Sequence, residues 1–198
     1  MKKTEWMVKV AMLSAVSVVL MLFEFPLPFL APPFYKFDFS EIPVLLGTFA
    51  LGPVAGVVIE LIKVLLNLLI NGTITGGVGE AANFVVGVAY ILPAGLIYKK
   101  FKTKKAASLG MLVGGMVMVG LGAVVNAYVL IPAYGSALNM PMEAFVNMGK
   151  SIHPSINSLG MLVLLCVVPF NAVKVLVVSV LTRLIYKPLS PLLKGKKQ

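Results

Sequence analysis

Apolar residues run along this chain in long blocks, each bounded by proline, glycine or lysine clusters, with little of the alternation that marks half-buried strands. The first block, Met7 to Phe23, has Lys2, Lys3 and Lys9 at its start. Its length approaches the roughly 20 residues a helix needs to cross a bilayer, and it predicts helix 1 over residues 6 to 25. Phe25-Pro-Leu-Pro-Phe-Leu-Ala-Pro-Pro33 cannot stay helical, because proline lacks the N–H and its ring clashes with the preceding turn. A rigid outer loop follows, carrying Lys36, Asp38 and Glu41, with Ser40 or Asp38 placed to cap the next helix. Helix 2, residues 42 to 51, is too short to span and turns into helix 3 at Gly52-Pro53, a tight inner hairpin. Helix 3 runs to Leu69 and opens into the glycine-rich outer loop Asn71 to Glu80. Helix 4 covers 81 to 98, helix 5 covers 106 to 131, a longer outer segment runs from Pro132 to His153, and helix 6 covers 156 to 186. Neither a repeat nor a linker divides residues 1–198, so the expectation is one all-α domain of six transmembrane helices.

Composition agrees. Hydrophobic residues make up 59% of the chain, charged residues 12%, and the mean hydropathy is +0.99, far from a water-soluble domain. A chain of 198 residues has no room for a sizeable soluble domain beside six passes. The net charge of +10 raises nucleic acid as a partner, but the cations flank the apolar blocks. Lys99, Lys100, Lys102, Lys104 and Lys105 separate two central blocks, and Arg183, Lys187, Lys194, Lys196 and Lys197 follow the last. That is the positive-inside pattern; it places both termini and the central basic loop in the cytoplasm and gives an even number of crossings. The first block is too long for a signal peptide, lacks a small-residue cleavage site and is followed by more crossings, so it reads as a retained helix. The one cysteine, Cys166, has no intrachain partner and reads as a small core hydrophobe.

Polar side chains at membrane depth carry the candidate chemistry. Asn171 and Lys174 lie three apart on one face of helix 6, just after Pro169, and Asn126 lies on helix 5. A lysine at the bilayer centre costs about 2.5–3.5 kcal/mol on insertion scales, so it normally faces a partner, a cavity or a ligand. An asparagine amide offers donors and an acceptor, and lysine offers donors only, a set suited to a flat heterocycle with alternating carbonyl and imide N–H groups. Pro169 favours a bend and a freed carbonyl where a cavity can form. The alternative is structural, an interhelical hydrogen bond between Asn126 and Asn171. Glu60 and Lys63, three apart on helix 3, form an internal ion pair or, alternatively, couple to a proton or sodium ion. Glu80 and Asn83, at the outer start of helix 4, suit hydroxyl groups, or Glu80 complements the helix N-terminus.

Several chemistries are excluded. Ala144-Phe-Val-Asn-Met-Gly-Lys-Ser151 fits a loose phosphate-loop pattern but lacks the preceding strand, the α/β context and a magnesium acid. His153 is the only histidine, which rules out a cysteine/histidine metal site and a Ser-His-Asp triad. Asn71-Gly-Thr73 matches a glycosylation sequon by chance. No catalytic residue, cofactor or metal is expected. A lipid-modifying enzyme would need clustered acids or a histidine near the membrane surface, and a stand-alone proton-coupled transporter would need Glu60 to titrate.

Several separated segments carry a family resemblance. Lys36-Phe-Asp-Phe-Ser-Glu-Ile-Pro43, the Gly52-Pro53 hairpin, Gly76-Gly-Val-Gly-Glu80 with Asn83, Val125-Asn-Ala-Tyr-Val-Leu-Ile-Pro132 and Pro169-Phe-Asn-Ala-Val-Lys174 follow one another in order. Together they resemble the riboflavin-specific S components of energy-coupling factor (ECF) vitamin transporters, over nearly the whole chain. The resemblance implies a protein of the bacterial plasma membrane that captures riboflavin from outside, with a transmembrane T component and two cytoplasmic ATPases as partners. It implies that Asn126, Asn171 and Lys174 hold the flavin ring, and that Phe37, Asp38, Glu80 and Asn83 serve the ribityl end near the outer loops. It implies too that Ala11 and Ala15, small residues four apart on helix 1, meet the T component, with Ser14 and Ser17 extending that face; internal packing is the alternative for them. Another heterocyclic vitamin is the alternative ligand. Outer loops 1 and 5 are expected to close over the vitamin before the loaded protein reorients against its partner.

Overall fold

A bilayer offers no water to backbone polar groups, so apolar blocks satisfy them internally by becoming helices. The computed structural model describes residues 3–194. Lys2, Lys196 and Lys197, among the flanking cations named above, lie outside the described residues. Helices α1 (Lys3–Leu22), α2 (Glu41–Leu51), α3 (Pro53–Asn71), α4 (Val78–Phe101) and α5 (Lys104–Val125) are followed by a widened π turn, Asn126–Leu130. Then come α6 (Ile131–Leu138), α7 (Met142–Lys150), α8 (Leu159–Leu162), a second π turn (Val163–Val167) and α9 (Val168–Lys194). Among the described residues, five continuous spans are long and apolar enough to cross a membrane: Lys3–Leu22, Pro53–Asn71, Val78–Phe101, Lys104–Leu138 and Leu159–Leu189. The sixth expected helix is α2, short as anticipated.

The sequence does not show how α2 is used. Every residue from Glu41 to Phe49 is buried, so α2 is a plug enclosed by α1, α3, α4 and α9. Its apolar character is continuous around the helix because no face meets lipid or water. Gly52, at φ +107°, makes the turn into α3, a backbone that a residue with a side chain adopts only under strain. Helices α4 and α5 are pressed together by a small-residue stripe: a Cβ at Gly110 would crowd the Ala94 carbonyl, and one at Gly114 would overlap that of Tyr90.

Several boundaries differ from expectation. Helix 5 does not stop at Pro132. The π turn before it sends the Ile131 N–H back to the Asn126 carbonyl, and the helix absorbs the missing proline N–H and continues to Leu138. Val168 bonds Val163 in the same way, immediately before Pro169. The outer segment after Leu138 contains α7, which packs against α6 and α8. Between α1 and α2 the proline-rich loop forms a two-residue antiparallel ribbon, β1 (Phe25–Pro26) with β2 (Lys36–Phe37), pairing Phe25 with Phe37.

On α1, Ser14 and Ser17 do not extend the outward small-residue face. Both are buried with Val10, Val18 and Met21, and the Ser14 hydroxyl donates to the Val10 carbonyl at 2.9 Å. Ala11 and Ala15 are exposed, as that face requires. Cys166 is fully buried, as a core hydrophobe should be.

Two apolar cores result. One surrounds α2, with Leu45, Phe49, Ile59, Tyr90 and Met118 among its members; the other gathers Phe37, Ile131, Phe145, Cys166 and Phe170 at the end of the bundle away from the basic 99–105 loop.

Candidate functional site

A cavity of about 610 Å³ opens where the two cores meet, bordered by Met118 of the first and Ile131 and Phe170 of the second. It matches the size and mixed character of small-molecule sites, apolar walls with a few placed polar groups. Asn126, Asn171, Lys174, Asp38, Glu80 and Asn83 all line it, brought together from the loop before α2, the start of α4, the first π turn and α9. Phe37 does not. Its ring is buried behind the wall, against Phe25, Phe39 and Phe170.

Each polar group has a defined state. The π turn at Asn126 turns its amide inward, where it is held from both ends: Oδ1 accepts from the Tyr35 hydroxyl at 2.9 Å, and Nδ2 donates to the Gly122 carbonyl at 2.7 Å. The Asn126–Asn171 bond of the structural alternative does not form. Asn171 is 8% exposed, and its amide makes no hydrogen bond among the described residues. A buried amide normally finds a partner, so one facing a cavity unpaired is a ready donor and acceptor. Burial, and then the neighbouring Cys166 and Tyr134, raise the pKa of the Tyr35 hydroxyl, which keeps it a donor to Asn126.

Lys174 Nζ donates to Asp38 Oδ2 at 2.7 Å, and Asp38 Oδ1 accepts from the Ser40 N–H at 2.8 Å. Of the two residues expected to cap α2, Asp38 thus orders the loop, while the Ser40 side chain makes no capping bond. Burial works against ionised Asp38. The ammoniums of Lys174 and Lys63, with the hydrogen bonds from Lys174 and Ser40, outweigh it and hold the carboxyl at about 2. Lys174 keeps two further N–H donors for a ligand.

Behind this pair lies a triad outside the lining of this cavity. Lys63 Nζ sits 2.7 Å from Glu41 Oε1 and 2.8 Å from Glu60 Oε2, with all three side chains at most 3% exposed. The expected Glu60–Lys63 pair is present, and Glu41, read from the sequence only as a residue of the outer loop, is the partner missed.

The mouth of the cavity is polar. Glu24 pairs with Lys36, Asn71 donates to Asn67 at 2.9 Å, and Glu80 accepts from Thr73 at 2.9 Å. Tyr35, Asn67, Asn71, Thr75 and Tyr134 line the cavity without having been anticipated. Asn67 had a readable signal as a polar residue within the apolar run of helix 3, and Asn71 stands four residues on, at the end of α3.

Residues 5–186 match the family profile described as ECF transporter, substrate-specific component. The riboflavin transporter RibU of Staphylococcus aureus (strain TCH60) is 36% identical over 194 residues, covering 98% of this chain and 95% of that protein. The riboflavin transporter FmnP of Bacillus subtilis (strain 168) is 35% identical over 190 residues, covering 96% and 94%. A solved structure described as the S component of a bacterial ECF transporter superposes with a TM-score of 0.76 at 34% identity, covering 98% of this chain and 99% of that one.

Proposed function

This chain belongs to the substrate-specific components of ECF transporters, and on that premise we propose that it captures riboflavin in the cavity formed by Asn126, Asn171 and Lys174. It is a multi-pass protein of the bacterial plasma membrane and a transporter component, with no reaction of its own to catalyse. Riboflavin is the transported ligand, and the energy of ATP enters through partner subunits.

The observation that carries the site assignment is the contrast between the two asparagines. Asn126 is locked by Tyr35 and Gly122 with one N–H left to offer, whereas Asn171 is unpaired and presents both donor and acceptor. The flavin's pyrimidine edge carries two carbonyls and an imide N–H. Asn171 pairs with the imide, and Lys174 donates to a carbonyl or ring nitrogen while Asp38 holds it in place. Phe170, Met118 and Val86 supply apolar walls for the dimethylbenzene end. The ribityl hydroxyls meet Glu80, Asn83 and Asn71 toward the mouth. Lys63 and Glu60 serve the fold, as neither lines the cavity. The basic end faces the cytoplasm by the positive-inside rule, so the cavity opens outside. The exposed Ala11/Ala15 face of α1 meets the T component, and two cytoplasmic ATPases complete the transporter.

The test is a flavin fluorescence-quenching titration of the purified protein with Asn171→Ala, Lys174→Ala and Tyr35→Phe. Saturable one-to-one quenching, weakened about 10-fold or more by each of the first two and less by the third, supports the reading; one net hydrogen bond is worth about 0.5–1.5 kcal/mol, and one to a charged group about 1.5–3. Absence of quenching in the wild type sinks the riboflavin assignment. Quenching that both alanine variants preserve moves the flavin elsewhere.

A further inference from the structure

A second opening, a groove of about 770 Å³, runs between α5 and α9 on the outside of the bundle. The two helices are antiparallel: α5 meets α9 at Gly115–Val175 and again, farther along, at Gly122–Asn171. Small residues keep the floor low. Gly120 has open space where a side chain would stand, and Ala172 faces it across the groove. Leu112, Leu176 and Val180 form apolar walls.

Length and charge identify the occupant. From Ser108 to Gly120 the groove wall extends 12 residues, about 18 Å at 1.5 Å per residue. One leaflet's share of a 30 Å hydrocarbon core is about 15 Å. Arg183 closes the groove beside Ser108, at the basic end, and no carboxylate pairs with it among the described residues. Lys104 stands one turn before Ser108, and Lys187 one turn after Arg183. An unpaired guanidinium at the edge of hydrocarbon, at the end of a slot one leaflet deep, calls for an anion carried on an apolar chain.

We propose that this groove binds an anionic phospholipid of the inner leaflet, with an acyl chain along α5 and α9 and its phosphate on Arg183. Basic pockets between helices at the cytoplasmic side recognise such headgroups. The orientation rests on the proposed function, in which the basic end faces the cytoplasm. A partner helix is the poorer occupant, because the face assigned to the T component is on α1, which packs on α2 and α3 and does not form this groove.

The test reconstitutes the protein in vesicles of equimolar phosphatidylglycerol and phosphatidylcholine, extracts it in mild detergent, and counts retained lipids by native mass spectrometry. Wild type is expected to retain phosphatidylglycerol about fivefold over phosphatidylcholine, the ratio that ~1 kcal/mol for one cation near an anionic surface gives. Arg183→Gln abolishes the preference and Arg183→Lys keeps most of it. Gly120→Phe, or Ala172→Phe should the first variant not fold, expels the lipid by filling the groove. The proposal is overturned by equal retention of the two lipids in wild type, by a preference that survives Arg183→Gln, or by a second copy of the chain in place of lipid. Riboflavin titration of the same samples separates the two readings, since neither Arg183 nor Gly120 touches the cavity. Loss of flavin binding in wild type with lipid preference intact would sink the first and leave the second.

Discussion

Lys174 on the last helix and Asp38 in the first loop, 136 positions apart in sequence, meet at 2.7 Å on the cavity wall. The bond ties the loop before α2 to the helix that carries Asn171, so one cation both joins these two segments and faces the cavity. Its side chains are 12% and 8% exposed, which places the pair between a surface salt bridge and a fully buried one.

Removing one partner strands the other. Asp38→Asn or Lys174→Met is expected to destabilise by about 2–4 kcal/mol, below the 3–5 typical of full burial. The double variant Asp38→Asn/Lys174→Met regains part of the loss. A double-mutant cycle from thermal melts in detergent measures the coupling; additive losses would show that the two residues act independently.

The same pair fixes a pH dependence. Asp38 is held at about 2, below its ordinary 3.8, so its contribution to stability is fully present above about 3.8 and is lost as pH falls toward 2. The difference in melting midpoint between wild type and Asp38→Asn should stay constant from pH 8 to about 5 and shrink below about 4. A difference that shrinks between pH 7 and 5 contradicts the assignment.

Lys63 is the cation shared by two carboxyl groups inside the bundle. Lys63→Met leaves Glu41 and Glu60 buried without a counter-charge and is expected to cost about 3–5 kcal/mol, seen as lost monodisperse protein in size-exclusion chromatography. Glu41→Gln/Lys63→Met/Glu60→Gln removes all three charges and should recover most of the yield. Near-normal behaviour of the single variant would show that the triad is not needed for folding.

The proposed partner face on α1 predicts that binding and transport separate. Ala11→Leu/Ala15→Leu adds bulk to an exposed surface, so riboflavin affinity should change less than about twofold, within the ±0.5 kcal/mol typical of surface changes. ATP-driven uptake in cells that also express the partner subunits should fall about 10-fold or more. Uptake at the wild-type rate moves the interface away from α1.

Block lengths made the helices legible, because 20 apolar residues in a bilayer have one low-energy backbone. The short α2 was legible for the same reason, from Gly52-Pro53. Its complete burial was not, since a helix facing lipid and one facing protein are equally apolar. Asn126, Asn171 and Lys174 stood out because polar groups at membrane depth carry a cost that something must offset. Tyr35 and Tyr134 did not, because an aromatic in a loop or at a helix end fits the membrane interface equally well. Glu41 and the continuation of helix 5 through Pro132 depended on tertiary partners and on a hydrogen-bond shift that residue spacing does not report.

Both π turns, Asn126–Leu130 and Val163–Val167, end two residues before a proline, on two of the helices that carry the site. One extra residue rotates everything beyond it by about 100° relative to an uninterrupted helix. The portions of these helices on either side of the widened turn therefore keep separate angular settings. The first widened turn thus sets the angle of Ile131 and Tyr134 on the cavity apart from the Gly110/Gly114 contact with α4, and the second sets the angle of Asn171 and Lys174 apart from α8.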